Sequence, residues 1–223
     1  MKLALFDLDN TLLRGDSDHA WGEFLCERGA VDRVEYEARN NEFFARYKAG
    51  TLDNIAFLAF VLAPLARIPR KELDALHADF MQSHVRAMML PQGQTLVQKH
   101  LEEGDLVAIV TATNAFVTAP IARAFGVSHL IATIPAQENG HFTGKPRGTP
   151  AFREGKIARV ESWLESLALN FQSFDESWFY SDSLNDLPLL QRVSNPVAVD
   201  PDPTLRKHAE TVGWPIISLR DTP

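Results

Sequence analysis

Residues 3–13 read LALFDLDNTLL. The run LALFDL has the nearly continuous apolar character of a strand covered on both faces, yet Asp7 and Asp9 interrupt it one residue apart and Thr11 follows. Carboxylates inside a buried strand are costly, because an unpaired charge in an apolar interior loses its hydration without recompense. At the end of such a strand they have a use. In open α/β sheets ligands bind outside the carboxyl ends of the strands, so the question is which other strands end beside this one.

Outward from this stretch, runs rich in Val, Ile, Leu and Phe alternate with segments of helical period. LVAIVT (106–111), LIATIP (130–135), WFYS (178–181) and PVAVD (196–200) read as further strands, with helices expected at about 92–103, 114–125, 156–168 and 202–211. Connections of this length suit right-handed crossovers and predict an α/β fold with a doubly wound, parallel, Rossmann-like sheet. Between the first strand and the next lies 15–89, where AWGEFLCERG, VEYEARNNEFFARYKAG, LDNIAFLAFVLAPL and RKELDALHADFMQSHVRAMM mix apolar and polar residues at helical spacing. Gly29, Gly50, Pro64 and Pro69 mark where these helices are expected to end or turn. The economical organisation is an α/β core made of 1–14 and 90–223, with a helical domain, 15–89, inserted after the first strand. Phe43, Phe44, Phe57, Phe60, Phe80, Met81, Met88 and Met89 read as packing of that helical unit, with a ligand-lining surface as the alternative.

Charge and composition narrow the function. A formal net charge of -7 argues against a nucleic-acid surface, and no apolar run approaches the ~20 residues of a membrane span. Met-Lys-Leu leads straight into strand-like sequence without a secretory h-region, so a cytoplasmic location is expected. Cys26, the one cysteine, reads as a small buried hydrophobe, and the seven histidines form no His-Glu-x-x-His zinc motif. The expected partner is a small molecule rather than a nucleic acid or a membrane.

Other chain segments place polar groups where Asp7 and Asp9 stand. Thr111 closes LVAIVT, and Asp182 follows WFYS within YSDSLNDLPLL, which adds Asn185 and Asp186. Asp7, Asp9, Thr111, Asp182 and Asp186 are thus expected on one rim. Carboxylates so close repel one another unless a hard cation binds among them, and all-oxygen ligation suits Mg2+.

The joint order of these pieces resembles the haloacid dehalogenase-like hydrolases, in the branch similar to phosphoserine phosphatases. FDLDNTL matches the first motif of that family, IVTAT the second, the lysine of GKIARV (Lys156) the third, and SDSLNDLPLL the fourth. The resemblance implies that Asp7 is the nucleophile and forms an aspartyl-phosphate, and that Asp9 protonates the leaving alkoxide and later activates water. It implies Mg2+ held by Asp7, the Asp9 carbonyl and Asp182, with Asn185 and Asp186 around this set. Lys156 is then the fixed positive charge beside Asp7, while Thr111 and the amide of Ala112 hydrogen-bond the phosphoryl oxygens. Lys145 in FTGKPRG and Arg153 compete for the lysine role, but Asn139-Gly140 suggests a surface hairpin for the first and Lys156 at a helix start fits better.

By the same resemblance the insertion corresponds to the family's cap, which selects the substrate. Asp16 stands where phosphoserine phosphatases carry the acidic residue for the substrate amine; a turn or helix cap is the alternative. Arg39, Arg46 and Lys48 are candidates for a substrate carboxylate, none matching clearly. The expected activity is Mg2+-dependent hydrolysis of a small, amino-bearing phosphomonoester such as histidinol phosphate or phosphoserine. Phosphoryl transfer to an alcohol and non-catalytic phospho-ligand binding are the alternatives. The presence of Asp7, Asp9 and Asp182 weighs against the binding module, and Asp9 against a dehalogenase.

Overall fold

The computed structural model describes residues 1–220. Strand β1 (Lys2–Phe6) is the middle of a seven-stranded sheet of order β4-β3-β2-β1-β5-β6-β7, in which β2 is Leu106–Asn114, β3 His129–Glu138, β4 His141–Arg147, β5 Glu176–Ser181, β6 Asn195–Val199 and β7 Ile216–Ile217. Strands β1, β2, β3, β5, β6 and β7 run parallel, and β4 pairs antiparallel with β3. The strand reversal in chain order on either side of β1 creates the crevice in which ligands of such sheets bind.

Two strands depart from the expectation. β4 is the second arm of a hairpin whose turn residues, Asn139 (φ 50°) and Gly140 (φ 80°), both take the left-handed conformation that matches strand twist. Its sequence, HFTGKPR, carries Pro146 and two basic residues, as an edge strand does, so apolar periodicity leaves it silent. β7 has only two residues, too few for a pattern. β2 also runs on to Asn114, with a register irregularity between Thr111 and Asn114, so Thr111 sits within this strand rather than at its end.

Residues 15–89 hold helices α1 (Ser17–Glu27), α2 (Arg33–Lys48), α3 (Asn54–Arg67) and α4 (Arg70–Phe80), followed by a π-helical turn (Met81–Val85) and the short α5 (Arg86–Met88). Asp16, Asp32 and Asp53 cap the first three, each accepting backbone N–H groups that the helix start leaves unpaired. Pro64 was expected to mark a helix end but lies inside α3, which continues to Arg67. The helices of the remaining chain are α6 (Pro91–Glu102), α7 (Ala115–Ala124), α8 (Glu154–Ser166), α9 (Leu187–Leu190) and α10 (Pro203–Val212), and none of the described helices is long and apolar enough to cross a membrane.

The alternation of β1 divides the interior. Leu3 and Leu5 pack with Val160, Leu164 and Phe179 on one face, while Ala4 and Phe6 join Ile109 and Val117 on the other. This second cluster runs without a break into Trp21, Phe24, Leu62 and Phe80 of the helical insertion. Gly144 on β4, at φ 75°, lets α3 approach closely, since a Cβ there would lie 3.3 Å from that of Ala66. The insertion is therefore anchored to the sheet by apolar contact at its base. Cys26 is buried and free.

Candidate active site

β1 ends at Phe6, and the Asp7 N–H makes one more bond to the Tyr180 carbonyl of β5 at 2.9 Å. The chain then turns, with Asn10 at φ 60° and the amides of Leu12 and Leu13 returning to the Leu8 carbonyl. This turn carries Thr11 back to the strand ends. Its hydroxyl lies 3.0 Å from Asp7 Oδ2 and 3.4 Å from Asp182 Oδ1, and it accepts the Asp182 N–H at 3.1 Å. Thr11 thereby ties the end of β1 to the loop after β5.

Lys156 enters from the first turn of α8. Its Nζ donates to Asp7 Oδ1 and to Asp186 Oδ2, both at 2.7 Å, and Ser181 Oγ adds a 2.7 Å bond to the same Asp186 oxygen. Such an approach requires a slim helix start. Gly155 supplies it, because a Cβ there would strike the Pro150 carbonyl oxygen. Burial opposes the charge on Lys156, but Asp186 and Asp7 outweigh it and hold the ammonium above its ordinary range.

The carboxylates show the opposite imbalance. Burial raises Asp7 to about 7 against the pull of Lys156, with Asp186 and Asp9 adding to the rise. Asp182 is held well above the carboxylate range by burial and then by Asp7 and Asp186. Asp9 is raised to about 6, by burial first and then by Asp16. Asp9 Oδ1 accepts the Ser17 N–H at 2.7 Å, and Oδ2 accepts the hydroxyls of Thr113 at 2.8 Å and Thr111 at 3.2 Å. Thr111, expected to face a phosphoryl group, here directs its hydroxyl to Asp9, and Thr113, which the sequence reading passed over, does the same.

Among the described residues no three His, Cys, Asp or Glu side chains form a ready metal cage. The donor set nevertheless fits a hard divalent cation. Asp7 and Asp182 face one Thr11 hydroxyl, Asp186 lies across Lys156, and one ammonium stands against these three carboxylates, two of which, Asp7 and Asp182, are raised by burial and then by their carboxylate neighbours. The Asp9 carbonyl would complete that set with a main-chain oxygen.

Asp7, Asp9, Thr111, Ala112, Lys156, Asn185 and Asp186 all line one cavity roofed by α2 and α3, whereas Asp182 stands outside its lining. Asp16 satisfies both of its readings. Its Oδ1 caps α1 by accepting the N–H groups of Asp18 and His19 at 2.9 Å each, and its side chain also lines the cavity, with burial raising its pKa. Asp18, His19, Asn40 and Tyr47 line the cavity as well, although in the sequence they look like ordinary helix positions. Of the phenylalanines and methionines read as packing, Phe43, Phe44 and Phe57 reach this lining.

The cationic candidates fall elsewhere. Arg39 and Arg46 pair with Glu42, and Lys48 lies 4.2 Å from the ring centre of Phe44; none of them lines the cavity. Lys145 is exposed on β4. Arg153 reaches across to the insertion, donating to Asn185 Oδ1 at 3.0 Å and to the Gly50 carbonyl at 3.4 Å.

Comparison with known proteins decides the family. The model of the haloacid dehalogenase-like hydrolases matches residues 4–191. The chain belongs to this family. A histidinol-phosphatase of Neisseria meningitidis serogroup C is 45% identical over 219 residues, covering 98% of this chain and 99% of the relative. A crystal structure of a protein of unknown function from Bordetella pertussis Tohama I superposes with a TM-score of 0.94 at 50% identity, covering 98% and 99% of the two chains. A substrate-bound phosphoserine phosphatase shares the fold, with a TM-score of 0.69 at 16% identity over 98% of this chain and 93% of its own. Within the haloacid dehalogenase-like hydrolases the chain is thus a phosphoric monoester hydrolase of the phosphoserine phosphatase-like branch.

Proposed function

We propose that the protein hydrolyses histidinol phosphate with Mg2+ through an aspartyl-phosphate on Asp7. The observation that carries the substrate is the charge of the cavity. Beyond the phosphoryl end it presents the carboxylates Asp16 and Asp18; among the described residues the one lysine in its lining, Lys156, is already shared by Asp7 and Asp186, and no arginine lines it. Phosphoserine would bring a carboxylate into this surrounding and find no cation for it. An amino alcohol phosphate brings only its ammonium. The 45% identity to a histidinol-phosphatase supports the same choice.

In this reading a carboxylate oxygen of Asp7 attacks phosphorus as the ester P–O bond breaks, and the proton on Asp9 passes to the departing alkoxide. Asp9 is suited to that step, since a value of about 6 keeps part of it protonated near neutral pH. The resulting Asp9 carboxylate then takes a proton from the water that attacks the aspartyl-phosphate, which frees Asp7 and phosphate. Lys156 orients Asp7 and offsets negative charge as the phosphoryl group transfers. Mg2+, held by Asp7, Asp182 and the Asp9 carbonyl, would supply the further neutralisation that a phosphate dianion requires. The Ala112 amide, and the Thr111 hydroxyl once it turns from Asp9, would donate to the phosphoryl oxygens, with Asn185 and Asp186 supporting the metal set.

Residues 15–89 act as the cap over a core of 1–14 and 90–223. The Tyr47 and Ser183 hydroxyls, 3.3 Å apart, and the Arg153 bond to the Gly50 carbonyl join the two parts around the cavity. Assaying phosphate release with Mg2+ from histidinol phosphate, phosphoserine and an aryl phosphate tests the proposal. Histidinol phosphate is expected to give the highest kcat/KM; a preference for phosphoserine would overturn the substrate.

A further inference from the structure

Asn40, on α2, is only 4% exposed and lines the cavity. Its amide nitrogen lies 2.7 Å from Nδ1 of His19 and 3.3 Å from the His19 carbonyl oxygen. A carbonyl can only accept, so the nitrogen is the amide atom on that side, and its two hydrogens are committed to the carbonyl and to an unprotonated Nδ1. This fixes the other end. Oδ1 has no hydrogen-bond partner among the described residues and is not one of the polar atoms sealed from solvent. A nine-tenths buried amide with its oxygen open to a cavity and no donor in reach is an acceptor waiting for a ligand N–H.

Its surroundings narrow the ligand. Asp18, 7% exposed, receives one long contact of 3.4 Å from Asn114 Nδ2, and Asp16 is already near Asp9. Asp16, Asp18 and Asn40 Oδ1 all accept, while Phe43, Phe44 and Phe57 supply flat apolar surface beside them. His19 stacks on Phe44 with ring centres 4.9 Å apart and planes 2° from parallel, so the aromatic wall is held by the residue that also orients Asn40. A ligand end bearing N–H donors on a flat ring satisfies both features. In an amino alcohol phosphate the ammonium is close to the ester oxygen, within the part of the cavity that Asp16 shares with Asp9, and the ring lies further out.

We propose that Asn40 is a specificity-determining residue whose Oδ1 accepts the N–H of a heteroaromatic ring at the far end of the substrate, with His19 positioning its amide. The inference rests on the amino-bearing substrate proposed above. The test measures kcat and KM on histidinol phosphate, on O-phosphoethanolamine, which has the ammonium but no ring, and on an aryl phosphate, for wild type, Asn40→Leu and Asn40→Asp. Asn40→Leu is expected to lower kcat/KM on histidinol phosphate about tenfold, mostly through KM, and to leave the other two within about twofold. Asn40→Asp keeps an acceptor but sets a carboxylate oxygen against the His19 carbonyl and unprotonated Nδ1, so it is expected to lose part of the preference for the ring and to keep clearly more of it than Asn40→Leu. Equal losses on all three substrates, or an Asn40→Asp variant as impaired as Asn40→Leu, would reduce Asn40 to a support for His19 and overturn the proposal. A wild type that ignores histidinol phosphate would instead overturn the substrate reading, whatever the variants do.

Discussion

Asp7 and Asp9 stand one residue apart and meet different surroundings, and the proposed division of their roles rests on that difference. Asp7 is paired with the Lys156 ammonium at 2.7 Å, whereas Asp9 has only neutral donors, the Ser17 amide and the Thr111 and Thr113 hydroxyls. Lys156 pulls Asp7 toward its charged form against its burial, and a cation bound beside it would pull further, whereas Asp9 has no cation to do so. Lys156→Ala should therefore lower kcat by about a hundredfold or more, while Lys145→Ala on the exposed hairpin should stay within about twofold. Steady-state phosphate release compares the two; the reverse ranking would move the lysine role. Asp16 allows a cleaner substitution, because asparagine caps a helix as well as aspartate does. Asp16→Asn should leave the unfolding midpoint nearly unchanged; losing the charge that helps raise Asp9 shifts turnover of all substrates alike, and an amino substrate should lose about 1–3 kcal/mol of transition-state binding beyond an aryl phosphate. Equal changes on both substrates would remove Asp16 from amine recognition.

Elements deliver these residues, and the start of α8 is the most exacting. Arg153 precedes it at φ 51°, and Gly155 lies so close to the Pro150 carbonyl oxygen that no side chain fits. Gly155→Ala must push α8 or the 150 loop aside, although alanine is the better helix former. The expected result is a lower unfolding midpoint and a kcat reduced more than about tenfold, since Lys156 is displaced from Asp7. Wild-type turnover in this variant would mean that the backbone here yields freely. Helix α2 contributes in another way, lending Asn40, Phe43, Phe44 and Tyr47 to the cavity from one side.

For the whole molecule, the site is a concentration of buried negative charge. Asp7 has an unfolded value of 3.8 and about 7 when folded, so between these pH values the native state binds the extra proton and stability falls as pH rises. Asp7→Asn removes that titration. In metal-free protein the unfolding midpoint of wild type should fall relative to Asp7→Asn as pH rises from about 4 to 7; a difference that is flat or of opposite slope would contradict the burial of uncompensated charge. The same variant should release no phosphate. Mg2+ held as proposed would bind the folded site and not the unfolded chain, so it should raise the wild-type midpoint, and chelation should abolish turnover until Mg2+ is restored. Full activity after exhaustive metal removal would refute the metal assignment.

The sequence by itself determined the alternation of strand and helix, the helical content of 15–89, the family, and the meeting of Asp7, Asp9, Lys156, Asp182 and Asp186. These are legible because period and motif order are local properties of the chain, and strands in a parallel sheet must end on one rim. Asn139-Gly140 marked the hairpin turn, but the tertiary structure alone decided that its second arm, β4, joins the sheet as a strand and that α3 continues through Pro64. It alone also decided which residues of α1 and α2 line the cavity. Asn40 and Asp18 look like solvated helix positions until α1 and α2 fold over the strand ends, and Arg39, Arg46 and Lys48 look like substrate ligands until their side chains turn to Glu42 and Phe44. Which side of a helix faces a cavity depends on what packs against the helix, and no spacing within its own residues encodes that.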